Sequence, residues 1–417
     1  MKILFVHQNF PAQFKQLAPA LAAVPSNTVV ALTMRKIAPC DWHGVRVIPY
    51  AAKWKSPRAT HPWMAELEVK VARGEACLRA SLALKREGFE PDVIVAHPAW
   101  GESLFLKDVW PQARIGIYCE FFYHAEGADV GFDPEFDAGG ELQASRLRIK
   151  NANYVLHFDF ATAGIAPTSW QASTFPASFR SRITVIHDGI DTDAVRPDPE
   201  ARLVLNSRGK TISLTRADEV VTFVSRNLEP YRGYHIFMRS LPELLAARPQ
   251  ARVLVVGNAE TSYGPPPQGG GSWKDVFARE VRPRISDADW ERVHFLGHLE
   301  YGKFIGLLQV SRVHVYLTYP FVLSWSLLEA MSCGCAVVGS DTAPVREVVH
   351  ENETGKLVPF FDSSGLASKV SELLDDAEAR ARLGAGARAL AVSRYDLARE
   401  CLPRQLTWVH ALADASA

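Results

Sequence analysis

Hydrophobic residues recur along this chain in two rhythms. Short apolar runs at Ile3–Val6, Thr28–Leu32, Val45–Pro49, Asp92–Ala96, Ile115–Cys119 and Ile183–Ile186 fit strands buried on both faces. Between them apolar residues return at three- and four-residue steps, as in Phe14–Ala23 and in Trp63–Glu87, where Leu67, Val71, Leu78 and Leu82 mark one helical face. Strands alternating with helices predict a parallel sheet covered on both sides. The rhythm pauses at His187–Asp191 and Pro197-Asp-Pro199, a turn-rich linker, and at Val204–Leu214, which reads as a small hairpin around Ser207-Arg-Gly209. It then restarts, with strands at Val220–Val224, Val253–Val256, Val293–Leu296, Val313–Leu317 and Ala336–Val338. Helices are expected at Tyr234–Ala247, at Phe304–Gln309, around Glu329 and from Gly365 onward. Two αβ halves of similar size therefore flank a Pro/Gly linker. A cleft between such lobes, outside the C-terminal ends of the strands, is where a ligand is expected. Tyr263–Trp273, Y-G-P-P-P-Q-G-G-G-S-W, is too rich in proline and glycine for a regular element. It reads as a surface loop or, with Trp273 as anchor, a lid.

Composition narrows the function classes. The 417 residues suggest about two or three domains, and 47% apolar with 22% charged residues is ordinary for a globular chain. Lys plus Arg and Asp plus Glu both number 46, so no global field gathers nucleic acid. The six cysteines show no C-x-x-C pair; Cys333 and Cys335 straddle Gly334 without a second pair, which argues for reduced thiols rather than zinc. Met1–Val6 turns polar at His7 and reads as a first strand, not a signal peptide, and no apolar run of about 18 residues is present. A cytoplasmic location is expected. Arg146, Arg148 and Lys150 read as a solvated helix face, with weak peripheral contact to the inner face of a membrane as the alternative.

The chemistry concentrates in Tyr319–Gly334, Y-P-F-V-L-S-W-S-L-L-E-A-M-S-C-G. The order is strand, turn, helix, strand. A helix start offers unpaired N–H groups to anionic or oxygen-rich ligands. Glu329, inside that helix, is an acceptor suited to the hydroxyl pair of a ribose. Asp191-Thr-Asp193 has the form of a metal-binding D-x-D but continues H-D-G-I-D as a linker turn, and no H-E-x-x-H occurs. No G-x-G-x-x-G follows the first strand, which argues against a dinucleotide oxidoreductase.

Six landmarks in order carry a family resemblance. They are V-I-H-D-G-I-D (185–191), F-V-S-R-N-L-E-P-Y-R-G (223–233), V-L-V-V-G-N (253–258), V-H-F-L-G-H-L (293–299), S-L-L-E-A-M-S-C-G-C-A-V-V (326–338) and R-E-V-V-H-E-N-E-T-G-K-L-V (346–358). With them the chain resembles family 4 of the retaining glycosyltransferases. The resemblance implies the GT-B architecture, two Rossmann-like parallel-sheet lobes facing a central cleft. It implies an acceptor-side domain at 1–190, a nucleotide-sugar domain at 191–394, and a C-terminal helix at 395–417 crossing back to the first. The implied reaction moves a sugar from a UDP- or GDP-sugar to a glycan, lipid-linked or small-molecule acceptor, with no metal and no other cofactor.

Residue by residue, Arg226 and Arg232 match the family's basic pair for the diphosphate, with arginine where lysine is usual at 232. Glu329 matches the glutamate that binds ribose. The family's preceding glutamate falls on Phe321, which puts the donor sugar in question and leaves the N–H groups of Val322, Leu323 and Ser324 to face the ligand. The base is expected near Gly297, His298 and Leu299, with Gly257 and Asn258 ending the neighbouring strand. Glu347 matches a further family glutamate, with a solvated helix start as its plain alternative. After the first strand, Ala12 and Gln13 stand where family members carry paired glycines and are expected to approach the diphosphate. A family histidine aligns with Glu120; Glu120, His124 and His97 are alternative contacts for donor-sugar hydroxyls or the acceptor. The rival readings are a non-catalytic nucleotide-sugar sensor, encouraged by Phe321 and Glu120, and a GT-B-type sugar-nucleotide epimerase.

Overall fold

The computed structural model describes residues 1–53, 61–137, 139–207 and 209–415. The chain forms two compact units. One comprises Met1–Gly131, Gly139–Gly189 and Ala398–Ala417; the other comprises Phe132–Ala138 and Ile190–Leu397. The sequence reading had counted 132–138 with the first domain; packing assigns it to the second, where Phe132 stacks on Phe361 and Phe136 meets Trp273.

The first unit is built on strands β1 (Lys2–Val6), β2 (Thr28–Thr33), β3 (Cys40–Trp42), β4 (Val45–Pro49), β5 (Val93–Ala96), β6 (Arg114–Tyr118), β7 (Ala163–Ala166) and β8 (Ile183–Val185). They lie in the order β3-β4-β2-β1-β5-β6-β7-β8, parallel throughout except for β3 against β4. Alternation across a strand sends successive side chains to opposite faces. Leu4 and Val6 join a core with Ile94, Ile115 and Cys77 of the helix Ala65–Arg86, while Ile3 and Phe5 join another with Leu17, Leu21 and the C-terminal helix residues Trp408, Val409 and Leu412. The apolar runs are continuous because both faces are covered.

In the second unit the linker leads into the hairpin β9 (Leu203–Ser207) and β10 (Lys210–Leu214). The parallel sheet follows, with β11 (Val220–Asn227), β12 (Arg252–Asn258), β13 (Val293–Gly297), β14 (Val313–Tyr316), β15 (Ala336–Ser340) and β16 (Lys356–Val358) in the order β13-β12-β11-β14-β15-β16. Chain order reverses direction between β11 and β14, so their loops part and leave a crevice at the C-terminal strand ends. Five of the six free cysteines are buried, Cys333 and Cys335 among them, and burial pushes the Cys335 thiol up to about 11. Among the described residues no helix is long and apolar enough to cross a membrane.

Candidate functional site

The crevice of the second unit is shaped by the turn after β11. Pro230–Arg232 forms one 3-10 turn, closed by Gly233 N–H on the Pro230 carbonyl at 2.7 Å. Gly233 takes φ +67°, and a Cβ there would stand 2.3 Å from Leu317 Cβ, so only glycine lets the chain pass β14 and enter the helix Tyr234–Ala247. The turn delivers Arg232 to a buried position. Its Nη1 donates to Thr318 Oγ1 at 3.0 Å and to the Val322 carbonyl at 2.8 Å, and its guanidinium lies over the rings of Tyr263 (5.4 Å) and Phe321 (5.9 Å). Arg226 is exposed near the end of β11. Glu229, which the sequence reading passed over, is buried and accepts N–H bonds from Ser262 (2.7 Å) and Tyr263 (3.0 Å). Burial pushes its carboxyl up, opposed by those bonds and by Arg232 and Arg226. Glu229 thus fastens the loop at Tyr263 beside the two arginines. Further along, Trp273 opens the helix Trp273–Val281, is buried against Phe277 and donates Nε1–H to the Pro265 carbonyl at 3.1 Å.

The β14 side supplies the second half. Phe321 is buried, edge-on to Tyr231 and Tyr263. Val322 and Leu323 are buried, and Ser324 caps the helix Trp325–Ser332. The expectation that three N–H groups face a ligand needs correcting at Ser324, whose N–H donates to the Tyr316 hydroxyl at 2.8 Å. Glu329 is buried and its Oε1 accepts the Tyr301 hydroxyl at 2.9 Å. Gly257 (φ +153°) ends β12 where a Cβ would lie 2.8 Å from the Ser225 carbonyl, and Asn258 accepts Leu228 N–H at 2.9 Å. Gly297 turns with φ +64° at the end of β13, His298 is exposed, and Leu299 packs on the core. Glu347 sits at the C-terminal cap of the short helix Ala343–Arg346, not at a helix start.

In the first unit, the ends of β1, β5 and β6 bring His7, His97 and Glu120 together. His97 is fully buried, stacked between Trp100 and Tyr118, with Nε2 3.5 Å from Glu120 Oε2. Gln13 donates to Glu120 Oε1 at 3.3 Å, and Ala12 takes φ +41°, the region that favours glycine. Burial, helped by His97, holds the His7 imidazole down to about 3. His124 is tied elsewhere, its Nε2 2.5 Å from the Thr174 carbonyl. Glu102 is also fully buried, 3.9 Å from Arg73, and burial pushes its carboxyl up to about 7. Nothing in the local sequence around Glu102 marks it.

Asp133, Glu135 and His235 place potential metal-ligand atoms within 4.8 Å of one another. Glu135, however, makes two 2.7 Å bonds to Arg239, and Asp133 accepts the Tyr319 hydroxyl at 2.8 Å and lies 3.0 Å from His235 Nε2. A cation would have to displace Arg239, so we read the cluster as an ionic clasp.

The family model described as "Glycosyl transferase family 4 group" matches residues 25–195, and that described as "Glycosyl transferases group 1" matches 210–390. Among curated relatives, the phosphatidyl-myo-inositol mannosyltransferase of Mycolicibacterium smegmatis is 30% identical over 186 residues, 43% of this chain and 42% of that protein. The chain spans about half the length of the first such relatives it matches. A GDP-mannose-dependent alpha-(1-6)-phosphatidylinositol monomannoside mannosyltransferase of the same organism is 26% identical, covering 83% of this chain and 85% of that protein. Among solved structures, Anabaena HepE in complex with UDP and glucose aligns with TM-score 0.66 at 18% identity, over 99% of each chain. The sucrose-phosphate synthase of Thermosynechococcus elongatus aligns with TM-score 0.72 at 19% identity, over 100% of each. These neighbours share the GT-B fold.

Proposed function

Since this chain belongs to the family 4 glycosyltransferases, we propose that it transfers a hexosyl group, with retention at the anomeric carbon, from a nucleoside diphosphate sugar to an acceptor hydroxyl. The observation that carries the reading is the buried guanidinium of Arg232 at the β11–β14 switch point, with the buried carboxylate of Glu329 in the helix that follows β14.

As the bond from anomeric carbon to diphosphate lengthens, negative charge grows on the phosphate oxygens. Arg232, held by Thr318 and Val322 and shielded by two aromatic faces, is oriented before that charge appears, so little reorganisation is needed. Exposed Arg226 adds a second cation that closes on the phosphates when donor binds. Glu329 exchanges its bond from Tyr301 for ribose hydroxyls. The base lies along Gly297–Leu299. The pair His97 and Glu120, with Gln13, takes sugar or acceptor hydroxyls. The diphosphate itself accepts the acceptor's proton, so neither a protein nucleophile nor a metal is required. The names of the relatives favour GDP-mannose and inositol-bearing lipids, while the UDP-bound neighbour favours UDP-glucose. The work is cytoplasmic in this reading.

A panel of UDP- and GDP-sugars tests it. Slow nucleotide release with one of them supports the transferase. Binding without turnover across the panel, with acceptors present, supports the second reading, a sensor, which Phe321 in place of a sugar-binding carboxylate favours.

A further inference from the structure

A separate pocket of about 910 Å³ opens in the second unit and shares none of the residues placed above at the nucleotide sugar. One wall is the helix Ala377–Tyr395, which presents Arg380, Gly384, Ala385 and Arg388; facing it are Arg216, from the turn after β10, and Arg312, just before β14. Among the described residues no carboxylate lines this space.

All four guanidiniums are held by main-chain carbonyls. Arg216 donates to the carbonyls of Gln309, Cys333 and Gly334, and Arg312 to those of Arg216 and Ala217. Arg380 reaches Leu373 and Leu374, each at 2.6 Å, and Arg388 reaches Ser332 at 2.6 Å and Thr192 at 3.3 Å. Several of these carbonyls lie at helix C-termini, so the bonds cap helix ends. Carbonyls orient a guanidinium but do not neutralise it. Among the described residues none of the four lies within 4.0 Å of a carboxylate. The acids felt at Arg380 are Asp376 and Glu219, and both are engaged: Asp376 accepts Ala379 N–H at 2.8 Å, and Glu219 pairs with Arg248. Four like charges thus converge on one half-buried space, offset at Arg380 only by Asp376 and Glu219, neither of which lines it. Burial lowers the Arg380 pKa, and Arg312 and Arg216 add to that.

Small-molecule sites typically occupy about 300–1,000 Å³, and planar guanidinium forks match phosphate oxygens. A single phosphate dianion would leave two of the four charges uncompensated. We propose that this pocket binds a small, multiply phosphorylated anion at a site independent of the donor crevice. A free polyphosphate, a sugar phosphate and the phosphorylated headgroup of a lipid share that chemistry.

The test titrates the full chain with inorganic pyrophosphate by calorimetry. It compares the wild type with R312Q/R380Q, with A385E, which puts a carboxylate on the exposed pocket wall without touching a capped carbonyl, and with the donor-site control R226A/R232A. We expect the affinity of both pocket variants to fall by about tenfold or more, while the control retains its pocket binding. Melting curves check folding, and A385E keeps the question open to experiment if R312Q/R380Q folds poorly. Unchanged binding in both pocket variants, or no pyrophosphate binding by the wild type at millimolar concentration, would overturn the site. Sedimentation with phosphatidylcholine vesicles carrying phosphatidylinositol 4-phosphate then separates the sources. Pocket-dependent pelleting competed by pyrophosphate assigns a lipid headgroup; pyrophosphate binding without pelleting assigns a soluble phosphate.

Discussion

Removing the Arg232 side chain tests stability and catalysis together, and the structure separates the two effects. Arg232→Ala deletes two hydrogen bonds from a buried cation, at 3.0 and 2.8 Å, each worth about 1.5–3 kcal/mol with a charged donor. It also deletes contact with two aromatic faces, together about 1 kcal/mol. Thr318 and Val322 recover part of this through water, so a net loss of about 3–4 kcal/mol in urea unfolding is expected. Arg226 is exposed, and Arg226→Ala should leave stability within about 0.5 kcal/mol. Turnover behaves differently. In the proposed mechanism both side chains face the departing diphosphate, so each variant should lose about 100-fold or more in donor-dependent nucleotide release. Arg232→Lys keeps the charge and loses the fork, and should fall between Ala and wild type. If two residues grip one diphosphate, the double variant loses less than the product of the single losses. Near wild-type turnover in both alanine variants, with Arg232→Ala merely less stable, would reduce Arg232 to a structural cation and refute the diphosphate assignment.

If Glu329 binds ribose as proposed, Glu329→Ala should raise the donor KM by about tenfold or more with a smaller change in kcat, because such binding is shared by ground and transition states; equal donor affinity by calorimetry would remove its ribose role. Gly233→Ala should destabilise the chain by more than about 2 kcal/mol, since it adds a Cβ 2.3 Å from Leu317 Cβ at φ +67°; a wild-type melting temperature would refute the steric account. Glu102 should shape the pH profile of stability. Its folded carboxyl sits at about 7 against an ordinary 4.5, so between those values the folded chain keeps a proton that the unfolded chain releases. The stabilising contribution is full below 4.5 and is lost as pH rises through 7, by at most roughly 3 kcal/mol. Glu102→Gln should flatten that slope, and an identical slope in the variant would count against the buried carboxyl.

The longer strands of both units were readable because their physical cause is local, whereas the short β3, β7 and β16 were not expected, and Val71 and Leu82 on the helix Ala65–Arg86 are exposed rather than on its buried face. A parallel strand covered on both faces must be apolar throughout, and Ile3–Val6, Val253–Val256 and Val313–Leu317 carry that mark. Arg232 was visible only through the family resemblance; the turn Pro230–Arg232, closed by Gly233, is what buries it. Tyr301 was not, since it meets Glu329 across 28 positions of sequence and neither residue's neighbours record the contact. The same holds for Glu229 with Ser262 and for Phe132–Ala138, whose attachment to the second unit depends on distant aromatic partners.

The amino-acid order alone fixed the alternation of strand and helix, the linker between two sheets, and the types of side chain waiting at strand ends, because period, turn chemistry and burial act over a few residues. Only the tertiary structure decided which of those side chains are spoken for: Ser324 N–H by Tyr316, His124 by Thr174, and four arginines by carbonyls rather than carboxylates. Hydrogen bonds and charges are satisfied by whatever the fold brings near, and that proximity is set by the packing of whole elements rather than by adjacency in the chain.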